Sequence, residues 1–278
     1  VPWAKIFIPV IMILLIMIYS KLVDKLRRHQ LLYCFTLFHA VGGIILYFFL
    51  SHPVYGVANT DPSPWRLTGW FFYFFLECFG AFMSAVFWSF ADSVNKPKDA
   101  KNFFGLFVSG SKIGGMLAAG ALYLLANNAV FEDAVLIPNS VLVGSLLLFA
   151  AAGSIYLLME KVPGYYMHGY EVAYQREKAK KHITDEEEEK ITILDSLKQM
   201  FEGLWVMIKT PYVMGIFSII AFYEIIIVIF DFIVISVADN ATTSIGGMTA
   251  YYAMYMLCMH GVGLFIALLG TVPLQRFL

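Results

Sequence analysis

The residues best suited to chemistry are a few ionisable side chains set inside long apolar runs. Lys112 stands within "FVSGSKIGGM", residues 107–116. Glu77, Glu224, Asp231, His39 and His260 lie in similar surroundings. A charge at the centre of a membrane helix costs roughly 3 kcal/mol on insertion scales, so each such group needs a partner or a task.

Lys112 has two readings. It is a cationic contact for an anionic substrate such as a phosphate, or it is half of a structural ion pair. Its helical neighbours three and four residues away are Val108, Ser109, Gly115 and Met116, a mostly small face that suits close helix packing or a cavity wall. Glu77, in the preceding span, is the partner expected for a structural pair. An anion competing with Glu77 for the lysine would couple loading to conformation. Glu224 and Asp231 are seven residues apart and share a helix face, where they would bind a counter-cation or proton, or pair with basic groups. His260 and His39 are mid-span imidazoles, either proton relays or hydrogen-bonded packing groups. Trp88, flanked by Phe87 and Phe90, could stack a base or could mark the interfacial aromatic belt. Gly110-Ser111-Lys112 is not a phosphate-binding loop, because the Gly-x-x-x-x-Gly-Lys order and a preceding strand are missing. We find no nucleophile–base pair or metal-ligand spacing, and expect neither enzyme activity nor a cofactor. Cys34, Cys78 and Cys258 read as unpaired packing residues.

The elements that position these groups follow from composition. The chain is 60% hydrophobic and 14% charged, against about 25% charged in soluble domains. Its apolar residues come in blocks, which predicts an all-α integral membrane protein rather than a barrel. Seven spans are expected, at about 5–19, 31–50, 69–91, 104–126, 140–159, 211–237 and 250–270. The start at Val1-Pro2-Trp3 suggests an internal piece of a longer protein.

Basic residues alternate between loops. Loop 20–30 holds Lys21, Lys25, Arg27 and Arg28, loop 92–103 holds Lys96, Lys98 and Lys101, and loop 160–210 holds eight Lys and Arg. The intervening loops hold at most Arg66. The positive-inside rule places the three basic loops in the cytoplasm. Lys112 then lies about 12 Å into its span from that side at ~1.5 Å per residue, near the midplane. Asn240-Ala241-Thr242 is a glycosylation triplet on the outer side.

The 160–210 loop carries a basic block, Gln175 to Lys181, then an acidic one, Asp185 to Glu189. It closes on "TILDSLKQMFEGLWVMIK", 192–209, an amphipathic pattern with Thr192 and Asp195 as capping box. The expected organisation is an N-terminal bundle over 1–159, a cytoplasmic linker over 160–210, and the start of a second bundle over 211–278. Major facilitators join two six-helix halves by such a linker. In that register the spans are helices two to eight of twelve. "SKLVDKLRRH", 20–29, puts Asp24, Lys25 and Arg28 near the acidic and basic positions of that superfamily's loop after helix two. These three are the candidate cytoplasmic gate, with ordinary positive-inside charge as the other reading.

A closer resemblance lies at 87–107, "FWSFADSVNKPKDAKNFFGLF". It is similar to a stretch of the nucleotide transporter family of plastids and intracellular bacteria, the ATP/ADP exchangers, which is related in fold to the major facilitators. Phe87, Trp88, Phe90 and Ala91 match, as do Ala100, Lys101, Phe103, Leu106 and Phe107. Ser89 stands for the family's Gly and Asp92 for its Asn. The stretch 223–232, "YEIIIVIFDF", lacks the family's Asn-Leu-Val-Glu-Val-Thr-Trp-Lys run. The resemblance implies a multi-pass carrier of nucleotides or similar phosphorylated metabolites in a bacterial inner membrane or organelle membrane. Lys112, Glu77, Glu224 and Trp88 are then the substrate-binding candidates, with Asp231 and His260 as coupling groups. The alternatives are a proton-coupled carrier of another organic anion and a non-transporting membrane subunit that docks partners through 160–210. The expected partners are the substrate and the lipid bilayer, with no nucleic acid.

Overall fold

The computed structural model describes residues 2–59, 63, 66–95, 97–127, 132–162, 205 and 208–269. Seven long helices account for nearly all of them: α1 (Pro2–Lys25), α2 (Arg28–Leu50), α3 (Leu67–Val94), α4 (Pro97–Asn127), α5 (Asp133–Lys161), α6 (Pro211–Ala241) and α7 (Ile245–Leu269). Among the described residues there is no strand. Six stretches are long and apolar enough to cross a membrane: Arg28–Leu50, Leu67–Val94, Phe104–Asn127, Ala134–Lys161, Pro211–Ala241 and Gly246–Leu269. The protein is therefore a multi-pass integral membrane protein built of helices, and each expected span falls on one of the seven.

The helices outrun the spans read from hydropathy. The expected loop 20–30 contracts to Leu26 and Arg27, because α1 continues to Lys25 and α2 begins at Arg28. Gln30 helps set that start by accepting the Arg27 backbone N–H at 3.1 Å. The expected loop 92–103 shortens, since α3 runs on to Val94 and Pro97 opens α4. Proline suits a first helical position, where its missing N–H has no partner to lose. Lys98, Ala100 and Lys101 then continue the helix as good helix formers. The Asn240 triplet lies at the end of α6, where the Asn240 amide donates to the Ser236 carbonyl at 2.8 Å. The capping box at Thr192 and Asp195 and most of the linker lie outside the described residues. At its end Trp205, Ile208 and Lys209 are helical, and the Lys209 ammonium sits 5.0 Å over the Trp205 ring.

Hydroxyls inside the apolar helices are satisfied one turn back. Thr36 donates to the Leu32 carbonyl, Ser109 to Gly105 and Ser145 to Val141, at 2.7, 2.7 and 2.8 Å. This leaves few unpaired donors where no water competes.

Two packed groups emerge. In the first, α2 meets α5, α3 and α1. Leu31, Leu32, Val86 and Phe90 form its buried core, covered by Tyr19 and Leu22 of α1 and by Ile155 and Met159 of α5. Phe35 stacks on Phe82 with centroids 5.5 Å apart, and Tyr19 lies 5.8 Å from each. In the second group α4 packs along α7, which also touches α6. α4 precedes the linker and α7 follows it, so this pair joins the two segments of the chain.

Candidate functional site

The α4–α7 seam is made of small residues. Ser109 and Ala119 of α4 are 2% and 6% exposed, and Ala253 and Ala267 of α7 are 6% and 4% exposed. Without a hydrophobic force between lipid-solvated helices, close backbone approach over small residues is the main source of such contact. The register is antiparallel. Lys112 faces Gly263, Gly115 faces His260, Met116 faces Gly261 and Gly120 faces Leu257.

Lys112 and His260 both lie in that seam. A β-carbon placed on Gly263 would stand 3.0 Å from Lys112 Cε and 3.6 Å from its Nζ. A β-carbon on Gly115 would stand 2.5 Å from His260 Nε2. Each side chain thus packs against a glycine of the facing helix, tightly for His260 over Gly115 and with more give for the flexible Lys112 stem over Gly263. His260 Nδ1 is buried and, among the described residues, has no hydrogen-bond partner.

A cavity of about 600 Å³ opens beside the seam, walled by α4, α6 and α7. Gly115, Ala119, Ile235, Tyr252, Met256 and His260 are among its lining residues. Its volume falls within the usual range for small-molecule sites, and its apolar wall with a few polar groups is the usual composition.

The structure redistributes the other candidates. The expected Lys112–Glu77 pair is not formed: among the described residues Lys112 makes no ion pair, and its face is turned to α7 rather than α3. Sequential helices need not be neighbours over their whole length. Glu77 is exposed on α3, one turn after Tyr73. Glu224 is exposed on α6, and Asp231 on the same helix is half-buried and close enough to act on Tyr252 of α7. Asp231 thus borders the second helix group, while Glu77 belongs to α3.

Trp88 lies edge-on to Phe104 at 5.2 Å, and Phe87 to Phe107 at 6.4 Å. These contacts fasten α3 to α4, so Phe87, Trp88 and Phe107 of the stretch that carries the family resemblance build an aromatic corner with Phe104. His39 is 2% exposed, donates from Nδ1 to the Phe35 carbonyl at 2.8 Å, and lies within 5.2 Å of Phe38, Phe75 and Phe79. It is a packing group of the first helix cluster. Asp24 and Lys25 fall in the last turn of α1, and Arg28 opens α2. Among the described residues no cluster of His, Cys, Asp and Glu could hold a metal.

Residue-by-residue reading missed Gly263 and Tyr252. A signal for Gly263 was present: Lys112-x-x-Gly115 in α4 is echoed by His260-x-x-Gly263 in α7.

A family model described as TLC ATP/ADP transporter matches residues 63–277. The ADP,ATP carrier protein 1 of Rickettsia conorii (strain ATCC VR-613 / Malish 7) is 29% identical over 114 residues, which cover 34% of this chain. The match spans 23% of that curated relative's length. No solved structure matches the chain.

Proposed function

The chain belongs to the TLC ATP/ADP transporter family, and on that premise we propose that it forms part of a secondary carrier exchanging nucleotides, or closely similar phosphorylated metabolites, by alternating access. The observation that carries the reading is Lys112, a cation in a membrane-spanning helix, half-buried in the seam and without an ion pair among the described residues. A buried ammonium left to itself is costly, whereas one that meets a phosphate forms strong charge-assisted hydrogen bonds.

Several features support this. The seam joins a helix before the linker to one after it, and secondary carriers place substrate between their two halves near the midplane. The adjacent cavity has the size and apolar character for a nucleoside-sized group. In this reading α1 to α5 belong to the first half, 160–210 is the linker, and α6 and α7 open the second half. Asp24, Lys25 and Arg28 serve the cytoplasmic gate at the short α1–α2 connection.

The test is uptake of labelled ATP and ADP into proteoliposomes holding the full-length protein, with and without nucleotide inside. Uptake that requires internal nucleotide is the expected result. Uptake driven by a pH gradient without internal nucleotide, or no counter-flow with any nucleotide, would overturn the reading.

A further inference from the structure

We propose that Lys112 and His260 together form one phosphoryl-anion site, half of it supplied from each side of the linker. The identity of the anion rests on the nucleotide-carrier reading; the geometry of the site does not.

The two groups are placed reciprocally. Lys112 lies over Gly263, three residues from His260, and His260 lies over Gly115, three residues from Lys112. Along either helix the offset is about 4.5 Å at ~1.5 Å per residue. A single phosphoryl group hydrogen-bonded to both sides, at ~2.8 Å each, closes a gap of that size. Lys112 supplies the charge. His260 supplies a directional hydrogen bond, and its buried Nδ1 has no partner within the described residues. A buried polar atom without a partner is disfavoured, which suits a group that pairs with a ligand. His260 also lines the 600 Å³ cavity, so an anion held between the two residues has the cavity next to it for the rest of its molecule.

The arrangement differs from an ordinary buried ion pair. No carboxylate among the described residues meets Lys112, and the glycines opposite the two side chains hold them in the seam rather than at the lipid face. Because one ligand comes from α4 and the other from α7, the anion is gripped only while these helices stay in register. Binding and the relative position of the two segments are then linked, as any ligand favouring one conformation requires.

The decisive experiment uses inorganic pyrophosphate and the full-length protein in detergent. Thermal-shift titrations compare the wild type with Lys112→Gln, His260→Leu, His260→Asn and the double variant Lys112→Gln/His260→Leu. Pyrophosphate should raise the wild-type melting temperature. Lys112→Gln and His260→Leu should each weaken the apparent Kd about tenfold or more, as loss of a hydrogen bond to a charged group does. His260→Asn, whose amide can stand near the Nδ1 position, should stay within about threefold of the wild type. The double variant should be little worse than the weaker single, since removing one half already disables a shared site. A His260→Leu affinity within twofold of the wild type would overturn the proposal.

A second measurement needs no variant to fold. In wild-type protein carrying ¹⁵N-histidine, pyrophosphate should shift an imidazole resonance, and the absence of any shift overturns the site. Pyrophosphate binding at both residues without nucleotide counter-flow would support this site while sinking the nucleotide-exchange reading. Nucleotide counter-flow with a KM indifferent to His260→Leu would do the reverse.

Discussion

Lys112 and His260 occupy equivalent places on opposite sides of one helix seam, each lying over the glycine three residues from the other. The pairing brings together residues separated by the whole central linker. It also explains how a membrane-spanning helix accommodates a lysine: small residues around it and a glycine under its stem.

The two glycines should not be equally sensitive. At Gly115 a new methyl would meet the His260 ring at 2.5 Å, and a ring with two torsions cannot yield without leaving the seam. At Gly263 it would meet the flexible stem of Lys112 at 3.0 Å. Gly115→Ala is expected to cost about 1–3 kcal/mol, as overpacking does, and Gly263→Ala clearly less. Denaturation of the two variants in the same detergent checks the order, and a larger loss for Gly263→Ala would contradict it.

Removing the charge at Lys112 should damage exchange more than stability. Lys112→Gln is expected to lower kcat/KM for nucleotide exchange about 10- to 100-fold, the loss of one charge-assisted hydrogen bond. Lys112→Arg retains charge and should recover part of it. Proteoliposome kinetics of the two variants provide the check, with equal defects in both arguing against an anion contact.

Gly43 tests packing away from the seam. Its β-carbon position overlaps Ser145 Oγ of α5. Gly43→Ala should therefore lower the melting temperature, and adding Ser145→Ala should restore most of the loss by removing the obstructing oxygen. A double-mutant cycle measures this, and purely additive effects would show that the two residues do not share the contact.

Trp88 stands against Phe104, so its ring should matter for holding α3 to α4. Trp88→Ala is expected to lower the melting temperature, whereas Trp88→Phe keeps an aromatic edge and should retain most of the stability. Thermal unfolding decides. A Trp88→Phe variant as stable as wild type but with a strongly raised KM would instead assign the ring to base stacking.

The spans were legible because a block of about twenty apolar residues has few other solutions. Their ends were not, since hydropathy stops where lipid contact stops, while helical hydrogen bonding runs on through residues such as Lys98 and Lys101. The depth of Lys112 and its small-residue face could be read directly. Its neighbour could not. Sequence order suggested Glu77 on the preceding helix, but α4 uses its small face against α7, and helix pairing over such a separation leaves only a faint mark in one sequence. The mark here was the glycine three residues beyond both Lys112 and His260. The motif around Trp88 pointed to the family, and its Phe87, Trp88 and Phe107 lie at the α3–α4 corner.

The reciprocal seating also limits how the seam can move. Sliding α7 along α4 by one turn, about 5.4 Å, would unseat Lys112 and His260 together and drive both against residues with side chains. Tilting one helix about the point midway between the two contacts keeps both side chains over their glycines. Sliding in register is therefore costlier for this seam than tilting about the point midway between its two contacts.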